Sequence, residues 1–225
     1  LPLAALAFAA VAVPLDGQSI DLSRARLVDL THPLNARTLY WPTSPSTFEL
    51  QRLAWGPTPA GWFYAANAFS APEHGGTHLD APVHFGEGRL PVDRLPLDLL
   101  VVPVVVIVVS AQAARDPDYR LSAGDVLAWE SRHGLIPAGS IVRLRTGGSA
   151  RWPDARAYLG DDTPGDASNL HFPSYGTDAA RLLVEERRVA GLGADVASIH
   201  YGPSTDFPVH RLAARAEVYG LENPT

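Results

Sequence analysis

Residues 99–110 read LLVVPVVVIVVS, a nearly unbroken run of aliphatic and β-branched side chains. Valine and isoleucine lose rotamer freedom in a helix and pack well on a pleated surface, so the run predicts a strand. It lacks polar alternation, which predicts burial on both faces, as in a sheet covered by helices. Pro103 cannot donate to a ladder, so a bulge or the strand's start is expected beside it. Helices to cover such a sheet are available. Ser122–His133 opens with Ser122 and Asp125 as an N-terminal signal, and Gly134 stops it. Thr177–Ala190 is headed by Thr177 as cap and carries Ala179, Leu182 and Leu183 at helical spacing. Val209–Val218 suggests a last helix. Further strands are read at Leu27–Thr31, Phe63–Ser70, Ser140–Thr146 and Gly193–Ile199, the third ended by Gly147-Gly148, while 33–59 reads as a proline-rich surface stretch. Strands and helices mix, so the expected class is α/β with a mixed sheet.

The 225 residues suit one sizeable domain or two small ones, and 46% hydrophobic content supplies a core. The net charge is −6 and no basic block occurs; Glu185-Glu186-Arg187-Arg188 mixes signs like a solvated helix face. Both facts argue against a nucleic-acid partner. There is no cysteine, which excludes disulfides and thiolate ligands, so any metal must sit on nitrogen and oxygen. The absence of methionine leads us to expect that Leu1 is not the original N-terminus. Leu1–Val13 has the length of a signal-peptide apolar region, with Ala10-Val11-Ala12 as a cleavage site, and is too short to span a bilayer. It reads equally as an N-terminal strand or helix. Residues 1–18 are thus a signal remnant or an extension, and 19–225 the functional domain. A remnant would place the protein in a periplasm; otherwise it would be cytoplasmic. No membrane partner is expected.

Residues 73–85, EHGGTHLDAPVHF, hold three histidines and an aspartate between His74 and His84. His74 and His78 are four apart, as in a helical zinc-protease pair, but Gly75 and Gly76 intervene and no glutamate follows the first histidine. On an extended segment His78 and Asp80 share a face, with Leu79 opposite. The glycines allow the turn that brings His74 to the same centre, and Pro82 fixes the chain beyond. His84 then falls further along the same side. Two imidazoles and a carboxylate suit Zn²⁺ or Mn²⁺, and three protein ligands leave a position for water.

HGGTHLDAPVHF resembles the His-x-Gly-Thr-His-x-Asp-x-Pro-x-His-Phe signature of the metal-dependent cyclase family, which includes bacterial kynurenine formamidases and isatin hydrolases. The resemblance runs through DLTHPLNARTLYWPTSP (29–45), LHFPSYGTDAARLLVEERRVAGLGADVASI and STDFPVHRLAARAEVYGLENPT, roughly Asp29 to Glu222. LHFPSYG and GPSTDFPVH are most like the isatin-hydrolase branch. The resemblance implies a single domain with a mixed, partly barrel-like β-sheet flanked by helices, of swivelling β/β/α type, assembled as a homodimer or homotetramer. It implies that His74, His78 and Asp80 bind metal, with Asp80 bridging. His210 and Glu222, twelve residues apart, would hold a second ion, giving one or two Zn²⁺ or Mn²⁺ per chain. It makes His84 the general acid/base and Trp41, of the Trp-Pro element, a wall of the substrate cavity. Phe85, Trp62, Phe63, Phe172 and Trp152 are further candidates for that cavity, and Ser204 for a loop lining it. His200 stands where many members have aspartate and is read as pocket wall. His32 and His171 could reach the pocket or the surface. The family normally continues past the point where this chain stops, so closing strands are expected to be missing and the hold of Glu222 weakened.

The activity implied is hydrolysis of a C–N amide bond in an aryl formamide or a cyclic amide such as isatin. Metal-activated water would attack and His84 would relay the proton. No Gly-x-Ser-x-Gly competes. Lactone hydrolysis and a cyclase or dehydratase step in polyketide assembly are catalytic alternatives. A non-catalytic metal- or small-molecule-binding protein is a third reading, against which His84 argues.

Overall fold

The computed structural model describes residues 23–225, so the apolar run Leu1–Val13 and the 1–18 extension lie outside the described residues. In chain order the strands are β1 (Glu49–Pro57), β2 (Phe63–Ser70), β3 (His78–Asp80), β4 (Val104–Val108), β5 (Arg120–Leu121), β6 (Ile141–Arg145), β7 (Ser174–Tyr175), β8 (Gly191–Ala194) and β9 (Tyr219–Glu222). The α-helices are α1 (Ser110–Ala113), α2 (Ala123–His133), α3 (Ala155–Leu159), α4 (Thr177–Arg181) and α5 (Pro208–Arg215). The central sheet has the order β3-β9-β8-β6-β4. β9, β8, β6 and β4 run parallel, and β3 is antiparallel to β9. This is a single α/β domain whose mixed sheet is flanked by helices, as expected.

One face of the sheet carries the main core. Val142, Leu144 and Leu192 pack there with Val126 of α2, Ala179 and Ala180 of α4, and Val209 and Ala213 of α5. Burying each larger side chain stabilises by about 2 kcal/mol. The opposite face is covered more thinly, by Leu79, Leu99, Val102 and Leu221 around Ile141, Ala190 and Tyr219. That asymmetry corrects the reading of residues 99–110. β4 is an edge strand that starts just after Pro103, and it alternates: Ile107 is buried while Val104, Val106 and Val108 are exposed.

Local chemistry explains the helix ends. Ser122 caps α2 in a reciprocal box with Asp125, and Gly134 closes it with φ at +91°. The helix beginning at Thr177 is shorter than expected. Gly176, not Thr177, is its N-cap, and the helix widens into a π-helical turn over Leu182–Glu186. Asp178 instead accepts a hydrogen bond from Ala123 N, tying α4 to the start of α2.

Other expectations shift. Leu27–Thr31 has no regular structure, and Leu27 and Val28 are exposed. The stretch read as proline-rich surface contains β1, which pairs with β2 as an outer hairpin apart from the central sheet. Its prolines stand outside or at the end of the paired segment, so they do not block it. The strand expected at Gly193–Ile199 is β8, which begins and ends earlier; Asp195 turns the chain by accepting from Thr146 N and Gly147 N. Among the described residues no helix is long and apolar enough to cross a membrane.

Candidate metal centre

β3 and β9 set the centre. Their antiparallel register places His78 opposite Glu222 and Asp80 opposite Gly220. His78 and Asp80 are two apart and share a face. Just before β3 the chain turns at Gly76, whose φ is +63°. At Gly75 a Cβ would overlap the ring of Tyr40, so this turn tolerates only glycine at the approach. The turn aims Gly76 O inward, where it accepts from His78 Nδ1 at 2.9 Å and from Asn223 Nδ2 at 2.8 Å.

After Asp80 the chain does not stay extended. Pro82–His84 forms a 3₁₀ turn, and this corrects the expectation that His84 continues along the same pleat. The turn folds the imidazole of His84 back over His74, with ring centroids 3.8 Å apart. His210 enters from α5, whose first residue is Pro208. Its ring lies 4.9 Å from His200 and stacks at 4.6 Å on Phe85.

Two sets of donors converge, His74 with His78 and Asp80, and Asp80 with His210 and Glu222; within each set the atoms lie within 4.8 Å of one another. Asp80 belongs to both. His74 Nδ1 lies 2.7 Å from Asp80 Oδ1, and His210 Nδ1 lies 3.8 Å from Asp80 Oδ2. Because His78 Nδ1 donates to a carbonyl, a neutral His78 has a bare Nε2. That atom is buried without a hydrogen-bond partner, 3.2 Å from Asp80 Oδ1 and 3.6 Å from Glu222 Oε2. Electron-rich atoms so arranged need a positive charge between them.

The electrostatics show the same demand. Burial opposes a charge on His78, but Asp80 and Glu222 outweigh it and push its pKa up to about 9. Burial also opposes charge on Asp80, yet its hydrogen bond with His74 and the nearby His78 hold the carboxyl well below the usual range. Burial, then the charge of Asp80, raises Glu222 to about 8. His210 is held well below the ordinary histidine value by burial, and His84 is lowered by burial too. Nitrogen and carboxylate donors without thiolate fit Zn²⁺ or Mn²⁺.

The centre opens into a cavity of about 200 Å³, and Trp41, Phe85 and His200 are among its lining residues. Tyr40, Tyr158, Ser198, Phe207 and Asn223 also line it and were not anticipated. Phe172 is not in the wall; it is fully buried behind Trp41, edge to face at 6.3 Å. Trp62 and Phe63 are corrected. Trp62 just precedes the outer hairpin's second strand and Phe63 opens it; they are 63% and 61% exposed and do not line the cavity. Ser204 lies in a separate depression, where its hydroxyl donates to Asp206 and accepts from Phe207 N. Trp152 stacks on His32 at 4.3 Å, and His171 pairs with Asp118 at the surface; none of the three histidine or tryptophan rings reaches the cavity.

Residues 28–201 match the family described as "Putative cyclase". An isatin hydrolase from Roseibium aggregatum is 36% identical over 169 residues, covering 72% of this chain and 62% of that protein, so the match spans less than two thirds of that relative. A kynurenine formamidase from Salinibacter ruber is 27% identical over 206 residues, 87% of this chain and 81% of that protein. A crystal structure of an isatin hydrolase bound to the product analogue thioisatinate superposes with a TM-score of 0.77 at 31% identity, covering 88% of this chain and 79% of that one. His74, His78, Asp80 and His84 fall inside the family match, whereas His210 and Glu222 follow it and are brought in by the fold.

Proposed function

The chain belongs to the cyclase family, and from that premise we propose that it is a metal-dependent hydrolase of a C–N amide bond in an aryl formamide or cyclic amide. The observation that carries the reading is the buried, unpartnered Nε2 of His78 facing the carboxylates of Asp80 and Glu222 in an aromatic-walled cavity. His74, His78 and Asp80 would hold one Zn²⁺ or Mn²⁺, and Asp80, His210 and Glu222 a second. A bound ion of this kind lowers the pKa of water towards about 7 and polarises a carbonyl. His84, kept neutral by burial, takes the proton of the attacking water and returns it to the leaving nitrogen, so the C–N bond breaks with the amine departing neutral. Trp41, Phe85 and Phe207 supply flat apolar surface that suits an aromatic acyl or anilide ring.

The protein acts as a homodimer in this proposal. The support is the outer hairpin, where Leu50, Leu53, Trp55, Phe63, Tyr64 and Phe69 are all more than half exposed. Apolar surface of that extent on one hairpin favours a partner.

The test is turnover of isatin, N-formylkynurenine and an aryl lactone by protein as purified, stripped with chelator, and reloaded with Mn²⁺ or Zn²⁺. Hydrolysis of one of the amides should vanish on stripping and return on reloading. Hydrolysis that survives stripping, or is confined to the lactone, would contradict the proposal.

A further inference from the structure

Ser198 Oγ sits at a junction of three polar atoms: His200 Nδ1 at 2.6 Å, His210 Nε2 at 2.9 Å and Glu222 Oε1 at 2.8 Å. A hydroxyl has one proton to give. Glu222 Oε1 also accepts from Ile199 N at 3.0 Å, and a backbone N–H can only donate. The Ser198 hydroxyl also donates to that oxygen. Only lone pairs remain on Ser198 Oγ, so each imidazole must donate to them. For His200 this fixes the tautomer: the proton is on Nδ1 and Nε2 is bare.

That bare nitrogen has nothing to accept from. His200 is 3% exposed, lines the cavity, and its Nε2 is buried without a hydrogen-bond partner. Leaving a buried acceptor unsatisfied is unfavourable unless a ligand completes it. The ring cannot turn away, because Trp41 at 5.5 Å and Phe207 at 4.8 Å pack around it and Ser198 holds its other nitrogen. One further buried hydroxyl in the same wall, that of Tyr40, also lacks a partner and can donate. An amide N–H and C=O complement this acceptor and this donor.

We infer that His200 is a specificity-determining residue whose Nε2 accepts the N–H of the bound amide, and that Ser198 is the positioning residue that keeps Nε2 bare. The inference rests on the amide-hydrolase reading. It makes the site select secondary over N-alkylated amides.

The experiment compares isatin with N-methylisatin in metal-loaded wild type and in His200→Phe, which keeps ring packing but cannot accept. Wild type should prefer isatin in kcat/KM by roughly 10- to 100-fold, the range for losing a hydrogen bond to a buried acceptor. His200→Phe should lose that preference by slowing isatin far more than N-methylisatin. Equal use of both substrates by wild type, or an unchanged preference in the variant, would overturn the inference while leaving the hydrolase reading intact. The tautomer is read independently from the long-range ¹H–¹⁵N spectrum of metal-free wild type, with His200→Phe identifying the resonances. A protonated Nδ1 and bare Nε2 support the inference, and a proton on Nε2 overturns it. If neither isatin is turned over, the same N–H against N-methyl comparison is made with formanilide and N-methylformanilide, with the same results supporting or overturning the inference.

Discussion

His84 and His74 stack at 3.8 Å between ring centroids, so the proposed proton carrier lies directly against a proposed ligand. Removing the His84 imidazole should lower kcat by about 10²–10⁴, the usual worth of a general acid/base, while metal content stays at the wild-type level. A variant that lost metal together with activity would place His84 among the ligands instead. The residues around it differ in how far the sequence exposed them. His74, His78, Asp80 and His84 are legible because they lie within eleven positions and short-range geometry governs them. Tyr40, Ser198 and Asn223 are not. Tyr40 matters because it fills the space beside Gly75, and Asn223 because its amide donates to Gly76 O. The first contact joins Gly75 to a bridge with Tyr40 far earlier in the chain, and the second, whose bond spans 147 positions, exists only after β9 pairs with β3. His84 was placed on an extended pleat, and Pro82 instead starts a turn there.

Among the elements, α2 was the most legible, since Ser122, Asp125 and Gly134 carry its ends in their own side chains and backbone. β4 was misread because an edge strand with a thinly covered outer face has the composition of a buried one; only neighbours decide between them. The helical layer is locked by a contact no local pattern announces. Glu130, near the end of α2, receives Arg187 Nε at 2.7 Å and Nη2 at 3.0 Å, and also accepts from Ile136 N. The Arg187 hydrogen bond, aided by Ile136 N, holds the Glu130 carboxyl below its ordinary value against burial. The sign follows: a depressed carboxyl contributes stability that is present above its unfolded pKa and lost as pH falls through the folded one. Arg187→Ala should therefore cost about 3 kcal/mol at neutral pH, because it strands a buried charge. Denaturant unfolding at pH 7 and at pH 3 checks this. The difference between variant and wild type should shrink at the lower pH, as the Glu130 carboxyl gains its proton; a constant difference would show that the pair acts through packing alone.

For the molecule as a whole, the helical core, the central sheet and the hairpin have separate tasks. The core fixes β8 and β9, β9 carries Glu222 to His78, and α5 brings His210 against Asp80. The hairpin contributes nothing to the cavity wall of its own chain and turns apolar side chains outward. If it joins two copies, Trp55→Glu with Phe63→Glu should halve the sedimenting mass and leave the fold intact by circular dichroism. An unchanged mass would assign the hairpin another partner. The central claim is that Asp80 would hold divalent metal in both donor sets, with His74 and His78 on one side and with His210 and Glu222 on the other. The most direct measurement is a calorimetric titration of chelator-stripped protein with Zn²⁺ or Mn²⁺, wild type beside Asp80→Asn. The account predicts binding of at least one ion by wild type and a loss of roughly 100-fold or more in affinity in the variant, since the carboxylate charge faces every proposed ligand. Wild-type protein that binds no ion, or a variant that binds as tightly as wild type, would contradict it.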